Sequence, residues 1–400
     1  MKILMILIDN TFPPDIRVRK EARTLVDAGH EVYVLAKRGP GQPLREMVNG
    51  IKVYRFGTPY LEGFSKFIFY LVIRIILPFY LLFFSLKHKV DVFHAHDLLP
   101  ALPTCLAGRV LGKPVIFDMH EDYPSMIEAT ISEFPSIVRP FLILASKFFR
   151  LEEKLAVKFA DKVITIVEEE AERLRRMGIS REKIEVIYNV EMLDEIEELV
   201  KKLGNRGRPS FLRDKFIISY VGGFEVHRGL ETLIKAMPFI LKDIKNAHLL
   251  LVGDGVIKDE LMNLCKDLGL EEFVTFTGWV RFEEAMYYIL ISDVCVIPYD
   301  KTRLTEKSFP HKLAQYMVMG KPVVVSDCKS LKRIVKSAKC GLIFKAGDPR
   351  DLAEKIIQLG RDRELRILLG RNAKRAALEK YNWANMSVKL IRMYGEIAGR

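Results

Sequence analysis

The stretch Phe216-Ile-Ile-Ser-Tyr-Val-Gly-Gly-Phe-Glu-Val-His-Arg-Gly-Leu-Glu-Thr-Leu-Ile234 decides the fold. A mostly apolar run, Phe216–Val221 with Ser219 inside it, ends in Gly222-Gly223, and helical spacing begins near Gly229. A short apolar run without polar alternation predicts a strand buried on both faces, as in a parallel sheet. Small residues between that strand and the helix let a phosphate approach the backbone amides of the helix start, and Arg228 adds a fixed charge. Taken alone, the same residues also suit a glycine-rich turn with a surface arginine.

The pattern repeats outward. Downstream, strands are expected at His248–Val252, Val274–Thr277, Val294–Ile297 and Pro322–Val325. Upstream they are expected at Lys2–Ile8, Glu31–Ala36, Ile51–Phe56, Val90–Phe93, Pro114–Asp118, Lys162–Val167 and Ile184–Ile187, with a helix over Ile16–Ala28. A chain of 400 residues exceeds what one core supports. The expectation is α/β: two Rossmann-like doubly wound domains over 1–200 and 201–383, joined at the basic stretch Lys201–Arg213, with a helix about 384–400 packing back on the first. Ligands then belong beyond the carboxyl ends of the strands, in a cleft between the domains.

With 49% hydrophobic and 28% charged residues, the chain is not disordered. Its net charge of +12 favours an anionic partner: lipid headgroups, a phosphorylated ligand or nucleic acid. No nucleic-acid motif accompanies the charge, so nucleic acid is not expected. Cys105, Cys265, Cys295, Cys328 and Cys340 are scattered without a Cys-x-x-Cys, which reads as free thiols in a reducing cytoplasm.

Several further loops carry residues suited to chemistry. In Lys307–Val325, Ser308 and Pro310 suit a helix start, where amides near Phe309, Pro310 and His311 face a diphosphate beside Lys312 and Gln315 reaches a ribose hydroxyl. The bland alternative is an ordinary amphipathic helix. Gly253, Asp254 and Gly255 end a strand, and Phe276–Val280 offers backbone at Val280 to a flat base; each is also readable as a simple turn. In the first half, His120 and Glu121 follow a strand and are placed to orient sugar hydroxyls or assist proton movement. Asp15 and Arg17 contact acceptor or phosphate, or only cap a helix. His94 and His96 alternate onto one strand face near His120; without a ligand motif, no metal site is expected.

Phe67–Phe84 is the most apolar stretch, interrupted by Arg74 and Pro78. As a helix it reaches about 27 Å, near a bilayer core. A true span would separate strands of one sheet, so the reading is a monotopic anchor with Lys66, Arg74 and Lys87 towards headgroups. Ile137–Leu151 is a second such segment, and the alternative for both is core or dimer interface.

Together, Phe12-Pro-Pro-Asp15, Ala28-Gly-His-Glu-Val32, Asp91–Asp97, Asp118–Pro124, Tyr220–Ile234, Val252–Gly255, Pro310–Val325 and Tyr381-Asn-Trp383 resemble, in order and spacing, the family 4 retaining glycosyltransferases of GT-B fold. The resemblance implies a metal-independent hexosyltransferase without cofactor. Such enzymes bind a UDP- or GDP-sugar mainly in the second domain, here through Gly222, Gly223, Arg228, Gly253, Asp254, Gly255, Val280, Phe309, Pro310, His311, Lys312 and Gln315. It implies His120 near the reacting sugar, Arg228 and Lys312 on the leaving diphosphate, and the acceptor in the first domain at Asp15, Arg17, His96 and Glu121. The family's pair of glutamates eight residues apart is replaced by Lys307 and Gln315, and its N-terminal glycine pair by Asp15-Ile16-Arg17. A lipid-linked or polysaccharide acceptor and a cytoplasmic, peripheral position on the inner face of the cell membrane complete the expectation. A nucleotide-sugar epimerase of the same fold and a non-catalytic nucleotide-sugar-binding protein are the alternatives.

Overall fold

The computed structural model describes residues 1–57, 63–131 and 135–399. The chain divides into two compact units, residues 1–187 with 386–400, and residues 188–385.

In the first unit the elements run β1 (Lys2–Thr11), α1 (Ile16–Asp27), β2 (Glu31–Lys37), β3 (Arg45–Val48), β4 (Ile51–Phe56), α2 (Gly63–His88), β5 (Val92–His96) and α3 (Leu98–Leu111). They continue with β6 (Val115–Met119), α4 (Tyr123–Thr130), α5 (Arg139–Phe159), β7 (Lys162–Thr165), α6 (Glu168–Arg176) and β8 (Ile184–Val186). The sheet order is β3-β4-β2-β1-β5-β6-β7-β8, parallel throughout except for the β3–β4 edge hairpin. The strand order reverses between β1 and β5, which puts the loops after those strands, and the adjoining β6 loop, where an open sheet binds ligands.

The second unit begins with α7 (Leu193–Leu203), then β9 (Phe216–Val221), α8 (Leu230–Asp243), β10 (Ala247–Val252), α9 (Lys258–Asp267), β11 (Val274–Phe276) and α10 (Phe282–Ile291). It continues through β12 (Val294–Ile297), α11 (His311–Val318), β13 (Val323–Ser326), α12 (Lys329–Ala338), β14 (Gly341–Phe344), α13 (Pro349–Arg361) and α14 (Arg363–Glu379). Its six strands are ordered β11-β10-β9-β12-β13-β14, all parallel, with the reversal between β9 and β12. The last helix, α15 (Trp383–Ala398), belongs to the first unit from Met386 onward.

Local chemistry explains the boundaries. Asp15 caps α1 by accepting from Val18 N, and Asp122 caps α4 through Ser125 N. Helix α6 opens on Glu168, Glu169 and Glu170 and closes on Arg173, Arg175 and Arg176, matching its dipole. The structure extends the first strand past Ile8 to Thr11 and adds β3 and β14, which lack the long apolar runs of inner strands because they are edges. The stretch 201–213 holds the end of α7 and two short 3-10 turns. It is tied to α10 by Arg206–Glu284 and by Tyr287 Oη, which donates to Gly207 O.

The apolar segment at 67–84 is the body of α2, with side chains described from Val72 onward. Leu77, Leu81 and Phe84 are buried in the core of the first unit, each contributing about 1.5–3 kcal/mol. Ile75, Phe79, Phe83 and Leu86, on the other side, are exposed, Phe79 at 69%. Among the described residues no helix is long and apolar enough to cross a membrane. One expectation fails: Arg74 does not reach outward. It pairs with the buried Glu152 and lies 5.7 Å from the Phe149 ring centroid, because α5 packs nearby with a carboxylate that needs a counter-charge.

Candidate functional site

In the second unit, β9 ends in Gly222, whose φ of +136° places it in a conformation that favours glycine. A Cβ there would lie 2.5 Å from Lys312 Nζ, so the ammonium of α11 sits directly over the β9–α8 loop. Gly253, after β10, has φ +140° and packs so closely that a Cβ would meet Gly222 O at 2.1 Å. An isolated bridge from Gly253 to Gly278 brings the loop after β11 to the same place.

Two cations converge on this glycine surface. Lys312 is buried with Nζ 3.6 Å from the Tyr220 ring centroid and 5.5 Å from that of Tyr299. Burial and the neighbouring Arg228 hold its pKa well below the ordinary lysine value. Among the described residues no carboxylate forms an ion pair with it. Arg228 donates to Tyr299 Oη at 2.6 Å and to Glu225 Oε2, with Nε at 2.8 Å. A buried amine against two ring faces, beside a guanidinium and with Glu225 nearby, is suited to meet an anion.

Helix α11 starts after Pro310, and Lys312 stands in its first turn, where backbone amides lack partners within the helix. Its outer residues meet the loop after β8: Asn189 Nδ2 donates to His311 Nε2, and Gln315 Nε2 donates to Glu191 Oε1 at 3.0 Å.

In the first unit, the loops after β5 and β6 hold His120 between two carboxylates. Its Nδ1 lies 3.1 Å from Asp97 Oδ2 and its Nε2 2.9 Å from Asp118 Oδ2. Against the desolvation of burial, these two carboxylates raise its pKa well above the ordinary histidine value. Asp97 sits at φ +65°, a strained backbone for a residue with a side chain, and its N–H donates to Asp118 O. Asp118 is also bound by Arg17, through Nε at 2.8 Å and Nη2 at 2.7 Å. Despite its own burial, Arg17 and His120 hold its carboxyl well below the usual range. Glu21, one helical turn from Arg17, is pushed up to about 8 by burial and by Asp118.

Sequence models of two families match this architecture half by half. The one described as Glycosyltransferase Family 4 matches residues 16–190, and the one described as Glycosyl transferases group 1 matches residues 202–376. The chain belongs to the group 1 glycosyltransferases of family 4 type. It is a glycosyltransferase that uses a nucleotide sugar, built on the GT-B fold. An uncharacterized glycosyltransferase of Methanocaldococcus jannaschii is 27% identical, covering 98% of each chain. The phosphatidyl-myo-inositol mannosyltransferase of Mycolicibacterium smegmatis is 24% identical over 94% of this chain and 88% of its own. Anabaena HepE, solved with UDP and glucose, superposes with a TM-score of 0.71 at 17% identity, covering 99% of this chain and 100% of its own.

Within the glycosyltransferase, Gly222, Gly253, Arg228 and Lys312 lie together, with Gly223 and Gly255 in the same two loops and Phe309, Pro310 and His311 at the start of α11. Asp254 is turned to Lys258 and Val280 follows the exposed Trp279 at the loop's rim. Asp15 caps α1 and Glu121 is exposed. Arg17 and His96, by contrast, are buried and directed at Asp118, too deep in this arrangement for direct acceptor contact. The sequence reading missed Glu21, Asp97, Asp118, Tyr299 and Glu191 as partners. Asp97, Asp118 and Tyr299 each stand at a strand's carboxyl end, and Glu21 is four residues from Arg17, so the positions were legible although the pairings were not.

Proposed function

We propose that this glycosyltransferase moves a hexose, with retention at the anomeric carbon, from a UDP- or GDP-sugar to a lipid-linked or polysaccharide acceptor at the inner face of the cell membrane. The observation that carries the reading is the pair Arg228 and Lys312 held over the Gly222 backbone. The fixed charge of Arg228, Lys312 protonated against the diphosphate, and the α11 amides stabilise the departing nucleoside diphosphate electrostatically, and no metal is needed to bridge its phosphates. Gln315 meets the ribose, and the Gly253–Gly255 and Val280 loops the base. In the first unit, the acceptor is met by Asp15 and Glu121, while His120 faces the reacting sugar; Arg17 and His96 act from behind by fixing Asp118.

Anabaena HepE was solved with UDP and glucose, which supports a uridine donor. The mycolicibacterial relative acts, by its name, on a phosphatidylinositol, which supports a lipid acceptor. A thermal-shift screen with UDP, GDP and their sugars is the direct test: at 100 times Kd the bound nucleotide adds about 2.7 kcal/mol to stability. A melting temperature unmoved by every nucleotide would overturn the donor reading.

For the membrane, the exposed Phe79, Phe83 and Leu86 of α2 and Phe141, Leu144 and Phe148 of α5 form the apolar component, and exposed Lys87, Lys89 and Lys147 the basic one. Phe79→Glu with Phe83→Glu is expected to release the protein from anionic vesicles in a flotation assay, with the melting temperature almost unchanged since both rings are exposed. Equal partitioning of variant and wild type sinks the anchor.

A further inference from the structure

Glu21 of α1 and His94 and His96 of β5 meet inside the first unit, fully buried, next to Asp118. No nitrogen or hydroxyl donates to either oxygen of Glu21, whose carboxyl lies against that of Asp118, and neither imidazole Nε2 makes a hydrogen bond. The other nitrogen of each ring is anchored: His94 Nδ1 lies 2.8 Å from Tyr394 Oη, and His96 Nδ1 lies 3.2 Å from Asp118 Oδ2. That leaves both Nε2 atoms without a hydrogen bond, with His94 Nε2 3.7 Å from Glu21 Oε2. Arg17 does not fill the gap. Its hydrogen bonds go to Asp118 and Ile187 O, and its Nε is 3.2 Å from Glu21 Oε1 without hydrogen-bond geometry.

Buried polar atoms without partners are costly, and Glu21, His94, His96 and Asp118 each bring one ligand atom within 4.8 Å of the others. We propose that Glu21, His94 and His96 bind a divalent cation of the zinc type as a structural centre, with Tyr394 and Asp118 as the outer partners that orient the two imidazoles. Two imidazole nitrogens and a carboxylate are the donor set of such an ion, and a ring nitrogen held from behind by a carboxylate or hydroxyl is its usual support. Ligand bonds of about 2.0–2.2 Å need donors about 3.5 Å apart. The donor atoms here, Asp118 included, lie within 4.8 Å of one another, so a small closure suffices. The centre would tie α1, β5 and α15 together within one unit. The donor-phosphate cations belong to the other unit, and the proposal does not rest on their assignment.

The test uses full-length protein dialysed against a chelator and titrated with Zn2+, and separately with Co2+ as a spectroscopic probe. Expected are about one ion bound per chain by elemental analysis, a Co2+ visible spectrum and a raised melting temperature. Glu21→Gln should abolish stoichiometric uptake. Tyr394→Phe, which preserves volume if the first variant folds poorly, should weaken binding about 10- to 100-fold. Arg228→Ala should bind the ion as wild type does. Wild type that takes up neither ion, or uptake unchanged in Glu21→Gln and Tyr394→Phe, overturns the proposal.

Discussion

Replacing Arg228 by alanine is expected to weaken nucleotide-sugar binding about 30- to 1000-fold, equivalent to about 2–4 kcal/mol. The guanidinium is a fork already aligned by Tyr299, so a phosphate receives two charge-assisted hydrogen bonds with little ordering cost. Glu225, which shares the fork in the free protein, has a side chain 44% exposed, and a doubly charged diphosphate outcompetes a carboxylate that can turn to water. Arg228→Lys should fall between, keeping the charge and losing the fork. The side chain is partly exposed, so the alanine variant should keep its melting temperature to roughly within the effect of 1 kcal/mol. Isothermal titration decides it: a Kd unchanged from wild type removes Arg228 from the donor site.

Lys312→Met should have effects of opposite sign on activity and stability. Transfer should drop by about 100- to 1000-fold in kcat/KM, the scale of losing one preorganised charge from a leaving group. Stability of the free protein should rise by about 1–2 kcal/mol, because methionine keeps the length while removing a buried amine whose charged form burial and Arg228 disfavour more than Glu225 favours it. The melting temperature of the ligand-free protein and the transfer rate must therefore move apart. If the variant is both inactive and less stable, Lys312 is a packing residue, and a variant with normal turnover removes it from the chemistry altogether.

How much of this was legible from sequence follows from physical range. The strand after Lys215 and the two glycines ending it announced a parallel sheet and a phosphate loop, since both depend on a few adjacent residues. Arg228 and the turn at Pro310 were found for the same reason. Arg17 shows the opposite case: its place in the loop after the first strand suited an acceptor or phosphate contact or a helix cap, yet its guanidinium is committed to Asp118, 101 residues away. Arg74 likewise was read as a headgroup contact and instead serves Glu152.

By itself, then, the sequence determined the fold class, the alternation of strands and helices, and the glycine and helix-start loops, because period, turn chemistry and capping are encoded within about one or two helical turns. Only the tertiary structure decided which charges face ligand and which face each other. His120 between Asp97 and Asp118, Lys312 over Gly222, and Glu21 against His94 and His96 each join residues from different strands or helices. Their pairing is set by the order in which the sheet assembles, a long-range property that no local pattern carries.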